Sequence, residues 1–472
     1  MVKTHTFDDI SYYTPSTDLW PFSVCRPTFH RSALYLLLVV ACLFDIGCSR
    51  VSETPTPILE TPTLQAENGQ NGTPIAIEQT VESPSAPVID PTPTFTPEPI
   101  VGNIVLWHSW AGADADALEE ILVAAEQRFP GLRVHTLFVA YDDLGQGYAE
   151  AVQAGEGPDL VLAPNWWLGD MIQAGVVARL DTPENALIAV DVQKRFWPAA
   201  LDNMRWRGEL YGLPTNFEVV SLYFNRELIS DDALPTTTDD FLALIQENPR
   251  HGIGLYNSLY HLYWGIPAYG GQLLDEDGVV ILDQNSGTAD YLRWLVAMEQ
   301  LAGNFIDTDY GMLIDRFKKR EFAFFIDGPW SIGELREALG ENLGITRLPT
   351  GSNGPAHPWL SADGIFLNPN SSSSQQRLAR AFMLYLTSIE SGSTLVRVAR
   401  RLPANRTVEV DGPILGGFMR QAEFAHSMPT VPEMDEVWGY GGDMLIKVLN
   451  GVADPDETVV ETTTLINEAN GK

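Results

Sequence analysis

The chain has 472 residues, and 62 Asp+Glu against 29 Lys+Arg leave a formal net charge of −33. So acidic a surface repels a polyphosphate within a Debye length, which excludes nucleic acid as a partner. Hydrophobic residues make up 45% of the chain, enough for a sizeable core, and the length points to two or three domains.

All three cysteines, Cys25, Cys42 and Cys48, stand within the first 48 residues, so the rest of the chain forms neither a disulfide nor a cysteine metal site. Around them Arg26, His30 and Arg31 precede an apolar run over residues 33–44 and then Ile46-Gly47-Cys48. A basic flank, a short apolar stretch and a small residue before the break predict a signal peptide over 1–48, the run being short for a bilayer span. Gly47-Cys48 resembles the lipobox of bacterial lipoproteins, in which the cysteine is lipidated, although Asp45 stands where that pattern has an apolar residue. A plain signal peptide or an uncleaved anchor is the other reading of the same residues. Residues 49–100 are rich in Pro, Thr and Glu, as in Thr54-Pro55-Thr56-Pro57 and Pro91-Thr92-Pro93-Thr94. They predict a disordered tether that holds a globular body away from a membrane.

From about Asn103 the pattern changes to short apolar strands alternating with amphipathic helices, the pattern of βαβ units. Ile104-Val105-Leu106-Trp107-His108 reads as a buried strand, residues 114–129 as a helix stopped by Pro130-Gly131, and residues 132–139 as a second strand. A helix over 144–153 and the apolar run Leu160-Val161-Leu162-Ala163 follow. Further on, Thr237 or Thr238 before Asp239-Asp240 predicts a capped helix start. Asp275-Glu276-Asp277-Gly278 reads as an exposed hairpin turn, since it lacks the twelve-residue calcium-loop spacing.

Four ordered blocks resemble family 1 extracellular solute-binding proteins: Gly157-Pro158-Asp159-Leu160-Val161 with Trp166, Trp167 and residues 175–180; residues 208–214; residues 222–228; and Phe325-Ile326-Asp327-Gly328-Pro329-Trp330. The resemblance covers residues 103–465. Thr238 and Arg320 depart from it, at scaffold positions. It implies an α/β, two-lobed periplasmic-binding-protein fold of type II, maltodextrin-binding-like, with a hinge and an interlobe cleft. The first lobe is expected over 101–216 and 356–405, the second over 217–355 and 406–472, with a crossing near residues 214–221. It further implies a monomeric sugar-binding lipoprotein of an ABC importer, anchored at the cell surface or in the periplasm, that closes on its solute and delivers it to permease subunits without catalysis or cofactor.

Saccharide sites need flat apolar surfaces for ring faces and hydrogen-bonding groups around the hydroxyl edge. Trp110 follows the first strand at its C-terminal end, where open α/β sheets place ligands, and Trp166 and Trp167 stand just past the third strand. By resemblance, Glu218 matches a polar residue of the crossing strand, Trp330 and Trp438 match stacking residues, and Tyr260 an aromatic contact; Trp166 and Trp167 occupy positions of charged ligand contacts. Asp363 is a further candidate in a turn-like segment. Core packing explains most of the 12 tryptophans, and Trp107, Trp197, Trp206 and Trp294 are read that way. Arg400-Arg401 and Lys318-Lys319-Arg320 read as solvated helix faces, and His108 as a partly buried histidine. No histidine pair has metal-ligand spacing, so no metal is expected. The same fold with a polyamine, ferric ion or polyol phosphate as ligand, and an exported carbohydrate-active enzyme, remain open alternatives; for the enzyme, no motif marks the carboxylate pair that glycoside hydrolysis needs.

Overall fold

The structure is a computed structural model that describes residues 100–182 and 190–472. The predicted signal peptide, Cys48 and all but the end of the tether lie outside the described residues.

Strands β1 (Gly102–His108), β2 (Leu132–Phe138) and β3 (Leu160–Pro164) run parallel, joined by helices α1 (Ala113–Arg128) and α2 (Tyr141–Ala154). Helix α1 forms because Ala117, Leu118, Ile121 and Ala125 recur on one face and bury against the sheet. Helix α2 ends at Gly155, whose φ of 78° is a conformation open to glycine. After a small hairpin, β4 (Arg205–Trp206) with β5 (Glu209–Leu210), the chain enters β6 (Gly212–Val219). Strand β6 pairs antiparallel with β12 (Trp359–Leu367), which pairs antiparallel with β3. With β13 (Leu402–Pro403) outside β6, the sheet order is β13-β6-β12-β3-β1-β2, and β14 (His426–Ser427) adds to β12.

Val220 alone separates β6 from β7 (Ser221–Asn225), which belongs to a second sheet. There β7 lies between β11 (Leu343–Thr346) and β10 (Phe324–Asp327), followed by β8 (Ile253–Tyr256) and β9 (Phe305–Asp307). The chain returns to the first sheet over residues 347–358. Helix Pro413–Ala422 then packs on β11 and, after β14, helices Met434–Leu449 and Pro455–Ala469 pack on Gly287–Glu299 beside the second sheet. Two α/β lobes joined by crossing segments result.

Alternation along the strands of the second sheet fills both its faces. Tyr223 and Phe325 face a core continuous with Ile104, Leu162 and Phe217 of the first lobe. Their neighbours Phe224, Phe324 and Ile326 face a second core with Trp264 and Trp294. Both local expectations hold: Thr237 caps helix Thr238–Glu247 in a reciprocal box with Asp240, and Asp275 accepts from the backbone of Asp277 and Val279 in a turn with Gly278 at φ 73°.

Candidate functional site

The wall of the site on the first lobe is built at an irregularity where β6 meets β12. The register shifts between Asp363 and Gly364, which pair with Asn216 and Pro214 and leave Thr215 as the extra residue. Pro214 has no N–H to lose from the ladder there, and such a bulge re-aims neighbouring side chains. The Thr215 hydroxyl donates to the Asp363 backbone oxygen at 3.0 Å, and Asn216 Nδ2 donates to Asp363 Oδ2 at 3.1 Å. Trp110, 8% exposed, lies in the loop after β1 and donates its indole N–H to Asp363 at this corner.

Arg401 lies at the centre of this wall. It was expected on a solvated helix face, and the structure corrects that. A π-helical turn over Leu395–Ala399 ends at Arg400 with φ 55°, a left-handed conformation rare for a residue with a side chain. Arg400 stays exposed, and the next residue turns inward. Arg401 Nε and Nη2 donate to Asp114 Oδ1 and Oδ2 at 2.8 and 2.5 Å, a planar fork on the first turn of α1. Its Nη1 donates to Glu218 Oε1 on β6.

Arg401 thus pairs with two carboxyl groups, Asp114 and Glu218, and feels a third, Asp363, electrostatically. Burial pushes the Glu218 and Asp363 carboxyls above the usual carboxylate range, against the pull of Arg401. Arg401 loses water by burial, yet the Asp114 hydrogen bonds and surrounding carboxylates hold its pKa above the ordinary value. The Glu218 side chain keeps 26% of its surface accessible and that of Arg401 25%, so the cluster lines a recess and is not sealed in a core.

The second lobe supplies the aromatic wall. Trp330, 41% exposed, follows Gly328, where an added Cβ would lie 2.0 Å from the indole ring. Glycine is required there for the ring to fold back over the chain. Trp330 Nε1 donates to the Tyr310 hydroxyl, which donates to Asp327 Oδ2. The fully buried Asp327 also lies 3.3 Å from His261 Nε2 through its other oxygen. Tyr260 packs its ring 6.2 Å from that of Trp330 and brings its hydroxyl 3.4 Å from the Glu218 backbone oxygen and 3.2 Å from Ser361 Oγ. It thereby links the aromatic wall to the crossing strands.

The other candidates divide. Trp438 on helix Met434–Leu449 is exposed and meets the buried Trp359 of β12 edge-on at 5.3 Å. Trp166 is exposed and donates to Tyr141 Oη at 3.2 Å. Trp167 is 3% exposed, its ring 5.0 Å from that of Tyr141, and so presents no open face. His108 is buried at the end of β1, where desolvation lowers its pKa. Asp114, Arg401 and Ser361 join the site although none of them is a site candidate in the sequence. Asp114 had a detectable signal, since it opens the helix after the first strand; Arg401 had none. Among the described residues no group of three His, Cys, Asp or Glu is arranged to hold a metal ion.

Comparison with known proteins gives a consistent picture. The model of the bacterial extracellular solute-binding protein family matches residues 120–414. The chain is 26% identical over 326 residues to the galactooligosaccharide-binding protein of Bacillus subtilis, covering 65% of this chain and 75% of that one. It is 23% identical to the maltotriose-binding protein of Pyrococcus abyssi, covering 72% and 75%. Among solved structures, a Staphylococcus aureus extracellular solute-binding protein in complex with maltose superposes with a TM-score of 0.69 at 22% identity, covering 78% of this chain and 97% of that one. The superposition supports the two-lobed fold.

Proposed function

Because the chain belongs to the bacterial extracellular solute-binding proteins, we propose that it is the receptor of an ABC importer that captures a neutral oligosaccharide between its lobes. The observation that carries this reading is the pairing of two unlike walls at Tyr260. An exposed indole face at Trp330 suits the C–H face of a sugar ring, and the Glu218–Arg401–Asp114 cluster suits its hydroxyl edge. The relatives named for galactooligosaccharide and maltotriose support the ligand class.

In this reading the lobes comprise about 101–216 with 356–405, and 217–355 with 406–472. A ligand touching both favours the closed state, so capture needs rotation at the crossings and no catalysis. Trp110, Trp166, Glu218, Tyr260, Trp330, Asp363 and Trp438 are the ligand-facing residues, and Trp167 packs against the Tyr141 ring to which Trp166 donates. Export, lipidation at Cys48, tethering through 49–100 and delivery of the sugar to permease subunits complete the proposal.

Calorimetry with maltotriose, galactotriose, spermidine and ferric citrate tests it, together with small-angle scattering. The expected result is binding of a neutral oligosaccharide, recovered uncleaved, with a smaller radius of gyration. Binding of the polyamine or iron alone, or hydrolysis of the sugar, sinks the reading. The double substitution Trp330→Ala with Glu218→Ala should lose that affinity while the fold persists.

A further inference from the structure

We propose that Arg401 is the positioning and specificity-determining residue of the recess: its guanidinium holds Asp114 and Glu218 in place as acceptors for hydroxyls of a neutral saccharide, and the carboxyl groups around it leave no free cation for an anionic one. This rests on the oligosaccharide reading above.

Geometry carries the argument. The fork from Arg401 Nε and Nη2 engages both oxygens of Asp114 and so fixes the plane of that carboxylate. Arg401 Nη1 engages only Oε1 of Glu218, and among the described residues Oε2 makes no hydrogen bond while the side chain stays partly accessible. A ligand hydroxyl therefore finds an oriented acceptor without having to order it first, which is the advantage of preorganisation. Substitution by lysine would keep the charge and lose the fork.

Charge supplies the selectivity. Facing Arg401 are Asp114 from α1, Glu218 from β6 and Asp363 from β12, with Tyr260 reaching in from the second lobe. Arg401 is already engaged by Asp114 and Glu218, with a third carboxyl group at Asp363 within electrostatic reach. A saccharide carrying a carboxylate therefore meets an acid-lined, partly desolvated place whose guanidinium is already paired. The backbone agrees with a demanding position: the side chain reaches the recess because Arg400 adopts a left-handed φ of 55° directly after a π-helical turn, strain of a kind that clusters at functional sites.

The experiment compares wild type, Arg401→Gln and Arg401→Lys by calorimetry with maltotriose, galactotriose and a trimeric oligouronate from pH 6 to 8.5, alongside carboxyl-selective NMR titration of Glu218. Wild type should bind a neutral trisaccharide with little pH dependence and reject the oligouronate. Arg401→Gln should weaken neutral binding about 10- to 100-fold at pH 7, and recover part of it as pH rises. The recovery is expected because carboxylates without a cation keep their protons to higher pH. Its Glu218 titration should move up; that of Arg401→Lys should stay closer to wild type, with weakened but pH-flat binding. General misfolding would weaken binding equally at every pH. Equal affinity of wild type and Arg401→Gln, an unmoved Glu218 titration, or tight oligouronate binding by wild type overturns the proposal. Wild type silent towards every neutral oligosaccharide overturns the functional reading instead, and the Glu218 titration still decides whether Arg401 holds that carboxylate.

Discussion

The indole nitrogen of Trp330 donates to the Tyr310 hydroxyl at 3.2 Å. Tyr310 passes the link at 2.8 Å to Asp327, a buried carboxylate that Trp330 does not itself engage. The pitch of the exposed ring is therefore set from inside the second lobe.

Removing that link should affect binding without removing the ring. Tyr310→Phe is expected to weaken oligosaccharide binding by about 0.5–1.5 kcal/mol, the net value of a hydrogen bond. Trp330→Ala should cost more, about 2 kcal/mol or above, as loss of a central aromatic anchor does. Calorimetry against the best neutral oligosaccharide checks both; a Tyr310→Phe protein indistinguishable from wild type would show that the ring needs no such tether.

Adjacent tryptophans past β3 should respond differently. Trp167 is buried against Tyr141 and beside Gly145, whose added Cβ would sit 3.6 Å from the indole. Trp167→Ala should destabilise by about 3–5 kcal/mol, as truncation of a buried aromatic does. Trp166 is exposed, so Trp166→Ala should leave the denaturation midpoint near wild type and reduce affinity. Chemical denaturation together with calorimetry separates them, and a reversed pattern contradicts the assignment.

Much of the first lobe could be read from local pattern, because the β1–α1–β2–α2–β3 order follows from apolar runs and helical stripes within short windows. The Thr237 cap and the turn at Asp275 are also local chemistry. Arg401 was not readable. Its partner Asp114 is 287 positions away, and nothing in the Arg400-Arg401 pair tells which of the two turns inward; the π-helical turn and the left-handed Arg400 decide that. The bulge at Thr215 was equally hidden, since a register shift belongs to two strands and neither carries it alone. The signals in Gly328-Pro329-Trp330 came through because glycine, proline and an aromatic each impose their own geometry.

Trp359 and Trp438 make a second contrast. Trp359 is fully buried and stacks on Tyr263 at 3.9 Å, while Trp438 is exposed and touches Trp359 edge-on. Trp438→Ala should lower oligosaccharide affinity about 5- to 30-fold with little change in stability. Trp359→Ala should cost about 3–5 kcal/mol of folding stability. If Trp438→Ala binds every oligosaccharide as wild type does, that ring lies outside the ligand path.

Acid sensitivity should appear where the chain returns to the first sheet. Pairing of β12 with β14 stacks His357 on His426 at 4.3 Å and 14°, and His357 Nδ1 lies 2.6 Å from the Phe424 backbone oxygen. Burial, and then the neighbouring His357, push the His426 pKa down to about 4. Unfolded, the same imidazole titrates near about 6.5. Between those values the unfolded chain binds more protons than the folded one, so this contribution is present in full above the unfolded pKa and is lost as pH falls towards 4. Because His426 keeps part of its surface open to water although its ring is partly desolvated, solvent screening limits the loss to about 1 kcal/mol or less. His426→Gln should therefore show a shallower fall in thermal midpoint between pH 6.5 and 4 than wild type. Parallel curves for the two proteins would mean that His426 titrates alike in both states.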